Sequence, residues 1–386
     1  MIKIENAFVE LLQVALGNRD SFSVSPNDEE WEKLYDMAKK QTLVGICFFA
    51  VKRLPQEQLP PQKRLRQWAV KAMKIEEKNK RITGECKAVT ELFDRGNYGT
   101  CVLKGQSNTL IYPKGMASLR TPGDIDLWVW EKTNRESYGG SDIKTLNKKR
   151  LVRAIWRLSR KKLDVAVHHA ECEILKQTPV EVHFEPSFSM NLFTDYRMQR
   201  YWRTYPNATV KTEKGFNMPT TAFNIVFQMS HVFRHLLLEG IGFRQLIDFY
   251  FLLVRFHEEK GSRDKVMKDI SMLSMKKITA AVMWIMKMVF LMDEKYLLCS
   301  PSEKYGKEML HEILEGGNFG HHFEDKAERK LDNEGKETTS SKLESNWETV
   351  RRGMKFLSSY PSECLWTPVL CIRASIVRNY WRRVRG

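Results

Sequence analysis

Two aspartates separated by one residue, Asp124 and Asp126, are the part of the sequence that most directly suggests chemistry. They open an alternating segment in which Ile125, Leu127 and Val129 occupy the other positions. A β-strand places both carboxylates on one face, roughly 6.5–7 Å apart along the chain. Like charges so close repel each other unless a cation lies between them. The pattern therefore predicts a strand that offers both carboxylates to hard divalent cations.

A third carboxylate has to reach the same place from another strand, because two-metal phosphoryl transfer needs ions about 3.5–4 Å apart that are held by shared carboxylates. Glu181 is the best candidate, because alternation turns its neighbours Val180 and Val182 toward the core and the glutamate toward the aspartates. The sequence thus predicts that Asp124, Asp126 and Glu181 bind the metal and perform catalysis.

A glycine turn precedes the aspartates. Residues 103–107 (Leu-Lys-Gly-Gln-Ser) join the end of an apolar run to the apparent start of a helix. A glycine lets phosphate approach the backbone, and the free N–H groups at a helix N-terminus attract anions. Lys104 and Arg120 would add positive charge near a triphosphate. The expected nucleotide-binding residues here are therefore Lys104, Gly105 and Arg120.

The elements that must position these residues fall into three predicted regions. Helical periodicity predicts an N-terminal helical region over residues 1–96, with a long helix over 62–95. Strand patterns around one amphipathic helix predict a small α/β core over 97–215. Helices return over 216–386, with a polar flexible segment near 320–345. The predicted fold class is α+β, with a small β-sheet between two helical regions.

Periodicity also predicts individual elements. The expected strands cover 100–103, 124–130, 163–168 and 180–184, and the expected C-terminal helices cover 222–238, 243–256 and 270–292. The amphipathic helix of the core would turn Lys149, Arg153, Arg157 and Lys161 outward. This basic face is typical of a solvated helix, with RNA contact as the alternative. The same alternatives apply to the basic and aromatic residues of 373–385.

Composition limits the partners and the compartment. The 63 Lys+Arg against 47 Asp+Glu give a net charge of +16, which favours polyanions such as triphosphates, RNA or anionic membrane surfaces. Residues 1–5 lack the features of a signal peptide, and the strongest apolar run, 278–292, is too short to span a bilayer. The seven cysteines form no CxxC pair. We therefore expect a cytoplasmic protein without a membrane segment.

In combination, the motifs resemble the uncharacterised nucleotidyltransferase family of the polymerase β superfamily. The matching elements, in order, are a strand, Lys-Gly-x-Ser at 104–107, Tyr112-Pro113, Arg120, Asp-Ile-Asp-Leu at 124–127 and a strand with Glu-x-His at 181–183. His231, Gly242-Phe243-Arg244, Asp248 and Gly317-Asn318-Phe319-Gly320 also look like that family. The resemblance implies a mixed sheet embedded in helices, and transfer of a nucleoside monophosphate from a nucleoside triphosphate.

The resemblance also assigns residues. It maps the metal carboxylates of the family onto Asp124 and Asp126, with Glu181 as the third, and its glycine motif onto Gly105 and Ser107. In the superfamily the glycine is usually followed directly by Ser or Gly, whereas Gln106 intervenes here.

The histidines and one charged pair leave alternatives open. His231 and His235 have zinc-ligand spacing, but the glutamate of a metalloprotease motif is missing, so a structural or substrate-pocket role is expected. Arg244 and Asp248 fit either a substrate cleft or an intrahelical salt bridge. The expected substrate-cleft residues are His183, His231, Arg244 and Asp248. The pairs His168-His169 and His321-His322 have no partners at metal spacing and read as solvated or loop histidines.

The sequence therefore favours a nucleotidyltransferase with two Mg²⁺ ions, Mn²⁺ being an alternative, and a nucleoside triphosphate such as ATP as the donor. The acceptor hydroxyl would belong to a small molecule, a tRNA end or a protein. The alternative is a catalytically inactive nucleotidyltransferase-like protein that binds nucleic acid through its basic surface. The sequence decides neither the acceptor nor the triphosphate nor the oligomeric state.

Overall fold

The structure is a computed structural model that describes residues 3–132, 146–159, 163–316 and 339–385. Several sequence features lie outside the described residues. They are Lys161, the motif at 317–320, the pair His321-His322 and most of the polar segment near 320–345.

The described chain is α+β, as predicted. The α-helices are α1 (Lys3–Leu16), α2 (Asp28–Lys40), α3 (Val44–Val51), α4 (Gln62–Arg95), α5 (Gln106–Thr109), α6 (Lys148–Leu158), α7 (Leu192–Thr204), α8 (Thr221–Leu238), α9 (Phe243–Glu258), α10 (Arg263–Met272), α11 (Lys276–Trp284), α12 (Glu303–Gly316), α13 (Thr339–Lys355), α14 (Pro361–Cys364) and α15 (Thr367–Arg385). The strands are β1 (Tyr98–Val102), β2 (Ile125–Glu131), β3 (Leu163–Val165), β4 (His169–Cys172), β5 (Val180–His183), β6 (Thr209–Lys211) and β7 (Asn217–Pro219).

Local signals set the helix starts of the N-terminal region. The Asn27 side chain accepts the N–H of Glu30, and the Glu30 carboxylate accepts the N–H of Asn27, so α2 begins with a capping box. Helix α4 begins directly after Pro61 and ends at Arg95. Pro61 precedes the helix, where a proline does not interrupt the helical hydrogen bonds. The predicted helix over 62–95 is confirmed.

The five-stranded sheet has the order β1-β2-β5-β4-β3. Strands β2 and β5 are parallel and the other neighbours are antiparallel, so the sheet is mixed. Its register aligns Asp126 with Glu181, Glu181 with Glu171, and Glu171 with Asp164. Four carboxylate residues therefore form one row across four strands, which we call the carboxylate row.

Strand β2 is buried on both faces. Ile125, Leu127 and Val129 pack in a core with α6 and with Trp381 of α15. Trp128, on the same face as Asp126, belongs to a larger core that includes α8. The predicted alternation is confirmed from Ile125 to Val129, whereas Asp124 precedes the strand. Close packing on both faces of the sheet fixes the position of Asp126.

Several predicted elements differ from the structure. The predicted helix over 270–292 is wrong, because the chain breaks after α10 at Ser274, whose φ is +60°, and restarts as α11, which continues into a π-helix at Ile285–Val289. The predicted strand over 163–168 ends at Val165 and turns back as β4. The helices predicted over 222–238 and 243–256 are confirmed as α8 and α9.

The sequence analysis did not predict strand β4, helix α7 or the hairpin of β6 and β7. Strand β4 reads His-Ala-Glu-Cys, which is short and poor in β-branched residues. The domain boundaries at 96 and 215 stay a prediction. A single core cluster contains side chains from both helical regions, and Phe8 of α1 packs on Phe243 of α9.

Candidate active site

A cleft of about 600 Å³ lies between the carboxylate row and helices α8 and α9. The residues expected at the site from the sequence that line it are Lys104, Gly105, Arg120, Asp124, Asp126, Glu181, His231, Arg244 and Asp248. Ser107 and His183 do not line it, because the first is fully buried and the second is 2% exposed. The fold thus gathers, into one cleft, residues that are up to 144 positions apart in the sequence.

Asp126 is the best-enclosed carboxylate of the cleft, with 1% of its surface exposed. Its Oδ1 accepts hydrogen bonds from Lys104 Nζ at 2.9 Å and from His183 Nε2 at 3.0 Å. Burial acts to raise the pKa of Asp126, but the positive charge of Lys104 and the hydrogen bond from His183 outweigh it, so the pKa is lowered. Asp126 is therefore an anion.

Glu181 lies beside Asp126 on the parallel neighbouring strand, and its Oε2 is 3.4 Å from His183 Nε2. Burial acts to raise the pKa of Glu181, but His183 and Lys104 lower it overall. For His183 the balance is reversed: burial acts to lower its pKa, and both carboxylates raise it above the usual value. The predicted orientation of Val180 and Val182 toward the core is confirmed.

Lys104 supplies positive charge inside the cleft. The turn that carries it is fixed by the N–H of Leu103, which donates to the carbonyl of Asp126 at 2.9 Å. Burial acts to lower the pKa of Lys104, but the charges of Asp126, Asp124 and Glu181 outweigh it and the pKa is raised. The ammonium group is therefore charged.

The predicted glycine turn and helix start are present. Gly105 has φ +64° and ψ −108°, a conformation that favours glycine, and α5 begins at the next residue. Helix α5 has four residues, so its dipole is small. The Ser107 hydroxyl is fully buried and has no hydrogen-bond partner among the described residues. Phosphate binding by Gly105 and Ser107 stays a prediction.

Arg120 is tied to helix α9. Its Nε and Nη2 donate to the two oxygens of Asp248 at 2.7 and 2.6 Å, and the Tyr112 hydroxyl donates to the same carboxylate at 2.6 Å. Arg120 and Asp248 are at most 4% exposed. Burial acts to lower the pKa of Arg120, but Asp248 raises it overall. Both oxygens of Asp248 therefore bind Arg120, which sequence spacing alone did not reveal.

Arg244, one turn before Asp248, reaches the loop in front of β2. Its Nη1 donates to the carbonyl of Thr121 at 3.2 Å. Burial, followed by the nearby charge of Arg120, lowers the pKa of Arg244 to about 10. Together with the Arg120–Asp248 pair, this contact holds the loop that leads into Asp124.

His231 and His235 line the cleft from α8, in agreement with a structural or pocket role. Their rings are 4.1 Å apart between centroids, and His235 Nδ1 lies 2.9 Å from Glu239 Oε2. Burial, followed by the charge of Lys104, lowers the pKa of His231 well below its usual value. His231 is therefore neutral at physiological pH.

The interpretation as solvated or loop histidines is wrong for His169, which lies in a strand, whereas His168 lies in the loop between β3 and β4 but is buried. His168 is 4% exposed and His169 begins β4, opposite His183. Sequence reasoning also missed Glu171, which lines the cleft from the same strand. The alternation of His169 and Glu171 was the available signal, and it was overlooked because β4 itself was not predicted.

Within the described part of the chain, two groups of side chains have the geometry to hold a metal ion. One consists of Asp126, Glu181 and His183, and the other of His169, Glu171 and Glu181. In each group one ligand atom per residue lies within 4.8 Å of the others. Asp124 lines the cleft but belongs to neither group.

Comparison with known families provides the assignment that the geometry alone does not. A family model described as an uncharacterised nucleotidyltransferase matches residues 27–290. The chain belongs to this family. The matched part contains the whole five-stranded sheet and every residue that lines the cleft.

The family assignment supports a generic nucleotidyltransferase, and the acidic cluster in its cleft could hold a metal. No curated protein and no solved structure matches the chain. Among the helices that the structure describes, none has the length and apolar character needed to cross a membrane.

Proposed function

We propose that the protein transfers a nucleoside monophosphate from a nucleoside triphosphate to a hydroxyl acceptor, with release of pyrophosphate, at divalent cations bound by Asp124, Asp126 and Glu181. The observation that carries the proposal is the alignment of Asp126 with Glu181 on parallel strands that face a cleft of about 600 Å³. Family membership supports the class of reaction.

The donor set fits hard divalent cations, which prefer carboxylate oxygens. Lys104 and His183 both contact the same oxygen of Asp126, so the negative potential at this oxygen already attracts positively charged groups. Asp124 lines the same cleft and would complete the set. We propose two Mg²⁺ ions, or Mn²⁺ in their place, which would neutralise the triphosphate and lower the pKa of the acceptor hydroxyl.

The remaining residues would bind or position. Lys104 would contact the triphosphate, and Gly105 would let the phosphates approach the backbone, since it lacks a side chain. His183 would orient Asp126 and Glu181 through its two contacts with them. These roles are consistent with the charge that each group carries in the cleft.

On the helix side of the cleft, Arg244 would attract the phosphates and neutral His231 would contact the substrate. Arg120 and Asp248 would act through the loop that they hold, because they occupy each other. Ser107 would support the nucleotide-binding turn from behind, since its side chain is fully buried. A cytoplasmic location is also proposed, because all seven cysteines are thiols rather than disulfides, as in a reducing compartment.

The test is incubation of the full chain with each α-labelled triphosphate, Mg²⁺ or Mn²⁺ and cell extract, followed by identification of the labelled species. Label transfer that Asp126→Asn abolishes supports the proposal. The matched control is Asp164→Asn, which removes a carboxylate of the same row that does not line the cleft. Failure of every triphosphate to label a product, or full activity of the Asp124→Asn, Asp126→Asn double variant, would contradict the proposal.

A second candidate function is nucleic-acid binding without catalysis, and one observation favours it. The basic residues of α6 and the basic end of α15 are neighbours, since Lys149 Nζ lies 5.8 Å from the ring centre of Tyr380. Lys149, Arg150, Arg153 and Arg157 line a second cleft of about 490 Å³. RNA binding that falls steeply with salt and is indifferent to Mg²⁺ and to Asp126→Asn would support this function.

A further inference from the structure

Strand β4 carries two metal-ligating side chains that the proposed reaction does not use, His169 and Glu171. They are aligned with His183 and Glu181 of the antiparallel neighbour β5. His169 Nε2 lies 3.6 Å from Glu171 Oε1, and ligand atoms of His169, Glu171 and Glu181 all lie within 4.8 Å of one another. Strand β4, which the sequence did not predict, and strand β5 thus present three ligands to one point.

The imidazole of His169 is arranged as a metal-bound imidazole would be. Its Nδ1 contacts the ring of His168, at 3.4 and 3.2 Å from the two nitrogens of that ring. Its Nε2 is buried and has no hydrogen-bond partner among the described residues. Histidine ligands usually have the second ring nitrogen hydrogen-bonded, which fixes the ring and leaves the first nitrogen for the ion.

The position of this group allows an ion to enter. His169, Glu171 and Glu181 line the cleft, and 64% of the Glu171 side chain is exposed. Three protein ligands leave further coordination positions for water, as in many zinc sites that are not closed.

The ligand types differ from those of the aspartate pair. A set of one imidazole and two carboxylates suits first-row transition cations, whereas Mg²⁺ prefers oxygen ligands alone. We propose that His169, Glu171 and Glu181 bind a divalent transition-metal ion such as Zn²⁺ or Mn²⁺. The inference goes beyond the proposed function and does not require nucleotide transfer, although Glu181 belongs to both ligand sets.

The test is Zn²⁺ and Mn²⁺ binding by the full chain, measured by titration calorimetry and by metal analysis after dialysis. His169→Ala and Glu171→Gln should each weaken binding of the transition metal on the order of 10- to 100-fold. Mg²⁺ binding should stay unchanged in both variants. Glu171→Gln replaces an exposed side chain, so it tests the site even if His169→Ala unfolds the protein.

The matched control is His311→Ala. His311 Nε2 lies 3.3 Å from Glu315 Oε1 on an exposed helix face, so it forms a similar histidine–glutamate pair without a third ligand in the described residues. This variant should bind Zn²⁺ like the parent. Asp124→Asn should also retain Zn²⁺ binding, which separates this site from the proposed catalytic pair. Equal Zn²⁺ affinity of the parent, His169→Ala and Glu171→Gln would overturn the proposal, and so would a parent that binds Zn²⁺ and Mn²⁺ no more tightly than Mg²⁺.

Discussion

The two walls of the cleft treat charge differently. On the sheet wall, Asp124, Asp126, Glu181 and Glu171 face the cleft together with the single cation of Lys104. On the helix wall, the carboxylates already have partners in the protein: Asp248 binds Arg120, and Glu239 contacts His235.

The difference indicates where a ligand is needed. Carboxylates that a rigid sheet holds together remain repulsive until a cation joins them, whereas a paired charge is already compensated. We therefore propose that the chemistry takes place on the sheet wall and that the Arg120–Asp248 pair has a mainly structural role.

Asp126→Asn, on the sheet wall, is the substitution with the largest expected effect. A metal site contributes several kcal/mol of transition-state stabilisation, and each 1.4 kcal/mol is a tenfold change, so label transfer should fall on the order of 10³-fold. Label transfer at saturating triphosphate and metal is the measurement, with a thermal melt to show that the variant is folded. A fall of similar size in Asp164→Asn would show that the effect is not specific to the cleft.

On the helix wall, Asp248→Ala should destabilise the fold. Removing one partner of a buried ion pair leaves the other charge unpaired, which costs about 3–5 kcal/mol. The free energy of unfolding from urea titration measures this cost. Arg255→Ala breaks an exposed i,i+4 pair with Glu259 and should change stability by less than about 1 kcal/mol. If both variants lose equally little, the helix wall is not held by its buried pair.

The glycine turn offers the smallest and sharpest contrast. Gly105→Ala should cost about 1–3 kcal/mol, because its positive φ is unfavourable for a residue with a Cβ. Gly84→Ala, inside α4, should instead stabilise the protein by about 0.5–1 kcal/mol, since its added Cβ meets nothing within 4 Å. Thermal unfolding of both variants measures whether each substitution lowers or raises the stability of the protein. A neutral Gly105→Ala would show that the turn relaxes without strain.

Local pattern was enough for part of this structure. The bounds of α4 follow from prolines and helical periodicity, and the alternation around Asp126 and Glu181 predicted which of their neighbours enter the core. Each of these features depends on residues within a few positions of one another. The turn at Gly105 was predicted for the same reason.

Other features depended on contacts between distant segments. Arg120 and Asp248 are 128 positions apart, so patterns between neighbouring residues could not predict their pairing. Strand β4 forms because β3 and β5 pair with it on both sides, although its own residues favour strand weakly. The metal-binding role that we propose for His169 and Glu171 was missed with it.

The sequence by itself determined the strand that presents Asp126, the orientation of the neighbours of Glu181 and the glycine turn before Asp126, since these arise from backbone periodicity and local sterics. The tertiary structure alone decided the sheet order, the carboxylate row and the partners of Arg120 and His169. Strand register and the packing of helices on the sheet bring together residues that are far apart in the sequence. Local sequence patterns hold no information about such contacts.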